Sequence, residues 1–331
     1  MMKMILMREP NLRHACESIG FFYLKVSNER LSHELITRVF AESKAFFDLP
    51  VEAKRLFSDP ILNVGYTGME EETLDVKRQK LRGDTKEGYY ISKDIPESSP
   101  LYNPSKLAGP NIWPTQNNLS SGEKEDLVRD LNCAKWKEVM NEYFDGMSSL
   151  AFQMVQYIAL AIGLSSKHYF DNDFQNPMAF LRLLHYSNEK SIPDEGIFAC
   201  GAHSDYGMVT LLATDHHGGL QILVPGKNDD NEEEWLDVPP PPIGTFVVNL
   251  GDMLERWTNG KFRSTIHRVL SRGDERYSIP FFYEPNFDTV VECLDVCLKP
   301  GQKAKYPPTT SGQHLLDKYK ETHSDFQHEE R

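Results

Sequence analysis

The sequence predicts a mostly β protein with helices: a double-stranded β-helix (jelly roll) flanked by N-terminal helices and one long central helix. Short β-rich runs follow the central helix, separated by Gly, Pro, Asp and Asn residues. No helical segment alternates with these runs. Because parallel sheets need crossover helices between their strands, the pattern favours an antiparallel jelly roll over a doubly wound sheet.

The N-terminal segment predicts two helices with a strand between them. Apolar residues recur at helical spacing across residues 12–19, before Gly20, and across residues 31–46, before Pro50. The run "FFYLKV" between them is typical of a strand. Residues 59–122 are polar and rich in Pro and Gly, so we expect this stretch to wrap over the core.

One apolar face predicts a long helix over residues 135–164, with Gly163 as its stop signal. The β-rich runs that follow are "FLRLLHYS", "MVTLLAT", "LQILVP", "GTFVVNL", "STIHRVL" and "YSIPFFY", and "GQHLLDKYKETHSDF" predicts a final helix. We therefore expect a helical region over residues 1–125 that wraps the core, and a jelly-roll region over residues 126–331. Both are expected to form a single compact unit.

Composition excludes several function classes. The formal net charge is −13, from 36 Lys and Arg against 49 Asp and Glu, which argues against nucleic acid and anionic membranes as partners. Five cysteines without CxxC spacing are typical of reduced thiols in the cytoplasm. No stretch approaches 18 uninterrupted apolar residues, so we expect no membrane span, and we expect a monomer.

The stretch "GAHSDYG" contains the first candidate metal ligands. His203 and Asp205 are two positions apart, so on a strand both would project from the same face. His267, in "STIHRVL", is a candidate third ligand from another strand. Two histidines and one carboxylate on one side of a metal are typical of non-haem iron(II) oxygenases, but hydrolytic zinc uses similar sets.

A second strand pair follows nine positions after His267. Arg276 and Ser278 in "RYSIPFFYEPN" would direct a guanidinium and a hydroxyl to one point inside the barrel. Because a buried arginine without an anionic partner is costly, this pair indicates a site for the far carboxylate of a dicarboxylic acid. The order His-x-Asp, a distant His and then Arg-x-Ser favours an oxygenase.

These motifs, with "ACESIGFFYLKV", "GDTKEGYYI" and "GPNIWP", resemble the isopenicillin N synthase-like branch of the iron(II)/2-oxoglutarate-dependent oxygenases over nearly the whole chain. The resemblance implies Fe(II) on His203, Asp205 and His267. It also implies 2-oxoglutarate held by Arg276, Ser278 and Tyr186, O2 as the oxidant, and release of succinate and CO2. The expected substrate is a small metabolite that is hydroxylated or desaturated.

The sequence departs from the pattern of that branch at two places. Leu184 and Ser187 stand where many members have Asn and Pro around the tyrosine. The usual leading strand is also missing, and residues 3–7 are its candidate replacement.

Other residues near these motifs have less specific roles. Lys86, Tyr89, Tyr90, Phe180 and Phe282 are candidates for the lining of a substrate pocket. His216 and His217 are expected in a turn and not on the metal. Three rival hypotheses remain open: an oxidase of the isopenicillin N synthase type that needs no 2-oxoglutarate, a non-catalytic small-molecule binding protein, and a zinc hydrolase.

Overall fold

The structure is a computed structural model that describes residues 3–4, 9–27, 29–114, 128, 131–226 and 233–322. These residues contain six α-helices. They are α1 (Glu9–Ser18), α2 (His33–Phe47), α3 (Val51–Lys54), α4 (Cys133–Ile162), α5 (Asp252–Trp257) and α6 (Ser311–Thr322).

The strands pair antiparallel throughout the described part of the chain. Nine of them form the main sheet, in the order β1-β2-β11-β8-β13-β6-β5-β4-β3, and four form a second sheet, in the order β10-β9-β12-β7. A two-stranded sheet joins β14 to β15. Their bounds are β1 (Lys3–Met4), β2 (Phe21–Ser27), β3 (Ser58–Asp59), β4 (Val64–Thr67), β5 (Lys86–Ser92), β6 (Pro177–Tyr186), β7 (Cys200–His203), β8 (Val209–Thr214), β9 (Leu220–Pro225), β10 (Glu233–Asp237), β11 (Thr245–Leu250), β12 (His267–Val269), β13 (Arg276–Asn286), β14 (Val290–Val291) and β15 (Thr309–Thr310).

The predicted helices and strands lie where the sequence pattern indicates, apart from residues 323–326 of the predicted final helix, which lie outside the described residues. Helix α2 begins after Ser32, whose side chain accepts a hydrogen bond from the backbone N–H of Leu35 at 3.1 Å. Helix α4 ends at Gly163, which has the left-handed φ of 101° that favours glycine. All six β-rich runs contain a strand of one of the two larger sheets. The prediction of an antiparallel sheet with a long central helix is therefore confirmed.

The main core lies between helix α4 and the main sheet. Trp136, Tyr143, Met147 and Leu150 of α4 are fully buried, and Phe144 packs edge-on against Phe281 of β13 at a ring distance of 5.3 Å. The apolar stripe on α4 is thus core packing, as its spacing indicates. With one face of the sheet covered by the helix, polar side chains can gather on the opposite face.

The prediction for residues 59–122 is wrong in one respect. Strands β4 and β5 come from this stretch, and every residue of β5 is buried, with β5 pairing with β6 in the main sheet. The sequence pattern did not indicate strand β5, because its two charged residues, Lys86 and Glu87, resemble surface residues. In the fold, both are neutralised by partners from other segments. Lys86 lies 2.6 Å from Glu72, and Lys54 lies 2.7 Å from Glu87.

The N-terminal edge of the main sheet agrees with its prediction where the structure describes it. Lys3 and Met4 form the outermost strand beside β2, while residues 5–7 lie outside the described residues. All five cysteines are free thiols. No helix among the described residues combines the length and hydrophobicity needed to cross a bilayer.

Candidate metal centre and adjoining cavities

Three candidate ligands meet at one end of the second sheet. His203 ends β7, His267 begins β12, and the two residues are direct partners in the antiparallel register. Asp205 follows two positions after His203, and its Oδ1 lies 3.7 Å from His203 Nε2 and 3.6 Å from His267 Nε2. One donor atom from each residue lies within 4.8 Å of the others. The structure therefore brings the predicted triad together.

Hydrogen bonds orient each imidazole so that its Nε2 atom points at the shared centre. The Nδ1–H of His203 donates to the backbone oxygen of Gly201 at 2.8 Å, and that of His267 donates to the backbone oxygen of Thr265 at 3.1 Å. A carbonyl can only accept, so both Nδ1 atoms carry a proton, and Nε2 is the atom of each ring that is left for a metal.

Asp205 is held in the same way. Thr210 Oγ1 and Asn249 Nδ2 both donate to its Oδ2 atom, which leaves Oδ1 on the side of the histidines. The side chain is buried, so its orientation is fixed by these two donors. Such supporting contacts are the usual companions of metal ligands in proteins.

The electrostatics of His267 also suit a metal ligand. Burial, and then the neighbouring His203, lower the pKa of His267 to about 4, although Asp205 acts in the opposite direction. The ring is therefore neutral at pH 7, which is the form that binds metals. Two imidazole nitrogens and one carboxylate oxygen on one side of a point fit iron(II), and zinc accepts the same donors.

Arg276, Ser278 and Tyr186 form a second cluster inside the barrel. Arg276 and Tyr186 are register partners on β13 and β6, and the guanidinium carbon lies 4.7 Å from the centre of the tyrosine ring. Ser278 Oγ donates to the Tyr186 hydroxyl at 3.4 Å. All three side chains are buried. Leu184 and Ser187 have therefore not kept the tyrosine away from the arginine.

The guanidinium of Arg276 has unused donors. It is 4% exposed, and its Nε and Nη1 atoms have no hydrogen-bond partner among the described residues. A small cavity beside it is also lined by Val269, two positions after His267 on β12. An unpaired buried cation beside a cavity is a candidate anion-binding site, because burial has removed its hydration without providing an anionic partner.

His216 and His217 lie in a turn, as expected. The backbone N–H of His217 donates to Asp215 Oδ1 at 2.9 Å, and the described metal-ligand cluster contains neither histidine. His217 nevertheless lines the cavity beside Arg276. That proximity depends on the fold, and sequence spacing gave no sign of it.

A second cavity adjoins His203 and Asp205. Tyr90, Phe180 and Phe282 line it, in agreement with the prediction. Lys86 and Tyr89 do not: Lys86 is engaged by Glu72 and Asp84, and Tyr89 projects into the main core, 4.7 Å from Phe46. Neighbouring strand residues face opposite sides, so Tyr89 and Tyr90 could not both line one cavity.

Several residues of this cavity were missed by sequence reasoning. They are Glu72 and Arg182, which form an ion pair, Tyr206, Glu284, and Leu315 and Tyr319 of helix α6. Alternation on β13 could have identified Glu284, because it shares a strand face with Arg276 and Ser278. The contribution of α6 depends on tertiary packing and leaves no local signal.

Two family models match the chain. The 2OG-Fe(II) oxygenase superfamily matches residues 178–285, and the N-terminal family described as "non-haem dioxygenase in morphine synthesis N-terminal" matches residues 10–116. The first match contains both members of the His-x-Asp pair, the distant His and the Arg-x-Ser pair.

Similar proteins extend the match to most of the chain. A 2-oxoglutarate-Fe(II) type oxidoreductase of Emericella nidulans is 35% identical, covering 94% of this chain and 84% of the relative. Kihadalactone A synthase of Citrus sinensis is 33% identical, covering 95% and 88%. A full-length Neurospora crassa protein solved with alpha-KG and thymine is 30% identical, covering 95% and 90%, with a TM-score of 0.76.

These matches confirm the jelly-roll fold and the use of 2-oxoglutarate, and they leave the individual residue roles as predictions. Relatives above 30% identity cover more than four fifths of their own length, so the match is not confined to one motif. The chain belongs to the 2OG-Fe(II) oxygenase superfamily and is a non-haem dioxygenase that uses iron(II), 2-oxoglutarate and O2.

Proposed function

We propose that His203, Asp205 and His267 bind the iron(II), and that Arg276, Ser278 and Tyr186 bind the far carboxylate of 2-oxoglutarate. This proposal is supported by one observation: the barrel contains both a cluster of metal-ligand atoms and a buried arginine without an anionic partner among the described residues. Three donor atoms converge at one point, and an unpaired buried guanidinium lies beside a cavity that is walled by the same strand β12. A keto-diacid spans such a pair of sites.

When bound, iron(II) with 2-oxoglutarate and O2 supplies the oxidising power that breaks a substrate C–H bond, with succinate and CO2 as co-products. The residues of this chain position the reactants. Arg276 neutralises the far carboxylate, Ser278 and Tyr186 offer it hydroxyl groups, and the Tyr186 ring packs against the guanidinium and holds it in place. The aromatic residues of the second cavity keep water from the reacting bond.

We further propose that the substrate is a small metabolite, hydroxylated or desaturated by a monomeric cytoplasmic enzyme without nucleic-acid or membrane partners. The net charge of −13 and the free cysteines support this. The Neurospora relative was solved with a small ring compound, thymine. The second cavity of this chain is likewise small and enclosed mostly by apolar side chains.

The test measures the succinate that anaerobically purified protein forms from 2-oxoglutarate. The protein is supplied first with iron(II) and then with O2. We expect His203→Ala and Asp205→Ala to abolish turnover and to reduce bound iron, while both variants keep the melting temperature of a folded barrel. His14→Ala, which changes an exposed histidine on α1, is the matched control. Normal turnover by both site variants would refute the metal assignment.

A further inference from the structure

The cavity beside His203 and Asp205 has mostly flat, apolar walls. Six of its lining residues are Leu74, Tyr90, Phe180, Tyr206, Phe282 and Tyr319. Phe180 and Phe282 are register partners on β6 and β13, so both side chains project from the same face of the sheet. Aromatic walls of this kind favour a flat ring, which can stack on them over a large area.

Glu284 is the polar exception in this wall. Its carboxyl is buried, and Oε2 accepts a hydrogen bond from the backbone N–H of Met208 at 2.7 Å. No residue in the described part of the chain bonds to Oε1. A carboxyl oxygen at a cavity wall without a protein partner is available to a ligand, and a ligand that displaces water there without pairing with it loses free energy.

The sequence makes room for this carboxyl. A Cβ atom added to Gly207 would lie 1.6 Å from both carboxyl oxygens of Glu284, so only glycine fits at that position. Burial, with smaller contributions from Asp205 and Asp252, raises the pKa of Glu284 to about 8 against the lowering effect of the Met208 hydrogen bond. The group is thus mainly a neutral acid at pH 7, able to donate as well as accept.

The charged residues beside the cavity already neutralise one another. Arg182 donates to both carboxylate oxygens of Glu72, at 3.2 and 2.9 Å, and Lys86 binds Glu72 and Asp84. The unpartnered Nε of Arg182 faces Gly88 of the neighbouring strand. Among the described residues, an anionic substrate would find no uncompensated cation here, in contrast to the surroundings of Arg276.

We propose that Glu284 is a substrate-recognising residue, and that the substrate is a flat, uncharged ring with a hydrogen-bonding group directed at its free carboxyl oxygen. This inference rests on the proposed function, because the cavity must adjoin the reacting metal. Phe180 lines both the cavity, about 50 Å³, and a groove of about 570 Å³. We expect a bound ring to displace Phe180 and to extend its substituents into the groove.

The test uses anaerobic protein loaded with iron(II) and 2-oxoglutarate, and measures the binding of four probes by equilibrium dialysis. Phenol and toluene differ only in a hydroxyl and a methyl group, benzoate is a flat anion, and cyclohexanol is a puckered neutral ring. We expect phenol to bind more tightly than benzoate and cyclohexanol. The ratio of phenol to toluene affinity should fall about tenfold in Glu284→Leu and stay within about threefold of wild type in Glu284→Gln.

Glu284→Gln keeps the shape and hydrogen-bonding capacity of the side chain, so it covers the case in which Glu284→Leu fails to fold. Glu52→Gln, which changes an exposed carboxylate, is the matched control. An unchanged phenol-to-toluene ratio in a folded Glu284→Leu protein would overturn the role of Glu284. Equal binding of benzoate or cyclohexanol, or no binding of phenol, would overturn the substrate class.

Succinate formation by the wild-type protein is measured separately. Its absence would contradict the proposed function while the ring-binding results stood on their own. The two failures can therefore be distinguished.

Discussion

Individual residues on strand β13 have roles that follow from the two-residue period of a strand. Phe281 and Tyr283 project into the main core, whereas Phe282 and Glu284 line the cavity next to the triad. Arg276 lies on the same strand face as Phe282 and Glu284, at the other end of the strand. One strand therefore lines both the cavity assigned to the cosubstrate and the cavity assigned to the substrate.

Replacing Arg276 by Met should raise the apparent KM for 2-oxoglutarate by about tenfold or more, because a charge-assisted hydrogen bond contributes roughly 1.5 to 3 kcal/mol. Without cosubstrate, the melting temperature should stay equal or rise, since an unpaired buried charge is removed. Steady-state kinetics and thermal unfolding measure the two effects. Arg13→Met on α1 is the control, and an unchanged KM in the Arg276 variant would exclude the proposed contact.

Thr210 should influence the metal without touching it. Thr210→Val removes one of the two donors that hold Asp205, and we expect iron(II) affinity to fall about tenfold, as is typical for groups that orient a metal ligand. Competition with a chelator of known affinity measures the change. Thr37→Val on α2, where the side chain is exposed, is the control, and equal affinities in the two variants would argue against a positioning role.

At the level of elements, strand β5 shows how buried charges can be tolerated in a sheet. Glu87 accepts hydrogen bonds from Lys54, Tyr66 and His185, all brought to it by different segments. Burial alone would raise the pKa of Glu87, but these three donors outweigh it and lower the pKa. The carboxylate therefore stabilises the folded sheet in its ionised form.

This network predicts a specific pH dependence of stability. Because the folded-state pKa of Glu87 is depressed, its contribution is complete above the ordinary carboxyl pKa of about 4.5 and is lost as the pH falls toward the folded value. Glu87→Gln should lower the free energy of unfolding by about 3 kcal/mol at pH 7, because Lys54 is left buried without its partner.

The difference between wild type and Glu87→Gln should narrow below about pH 4.5, as denaturant unfolding at several pH values will measure. Glu17→Gln, in an exposed pair with Arg13, should change stability by less than about 1 kcal/mol. A difference that stayed constant from pH 7 to pH 3 would show that Glu87 does not act through its charge.

The sequence predicted those elements whose apolar pattern is regular, such as helix α4 and strand β13, and the pair Arg276 with Ser278, which shares a strand face. His203 and Asp205 were also predicted as a pair, although Asp205 lies two positions beyond the end of β7. Strand β5 was missed because Lys86 and Glu87 resemble surface residues until their partners are known. The role of Gly207 was missed because it depends on Glu284, which reaches it only through the folded sheet.

At the scale of the whole molecule, the main sheet crosses the boundary expected near residue 125. Strand β2 pairs with β11, and β5 pairs with β6. We therefore propose that residues 1–125 and 126–331 form one folding unit, although the two family models match them separately. Each region alone would leave a long, hydrophobic strand edge unpaired.

Expressing the two regions separately tests this proposal. We expect each fragment to lack a cooperative thermal transition and to aggregate, while coexpression restores succinate formation to part of the full-length level. Differential scanning calorimetry and gel filtration provide the measurements. A cooperative transition in the isolated fragment 126–331 would show that it is an independent domain.

The pairing of β2 with β11 also sets the order of events during protein synthesis. Phe21 leaves the ribosome long before its register partner Asn249. Strand β2 therefore stays without this neighbour during the synthesis of the intervening residues, and helices α1 and α2 can only form local structure in the meantime. The unpaired strand is expected to be the segment that chaperones protect during this interval.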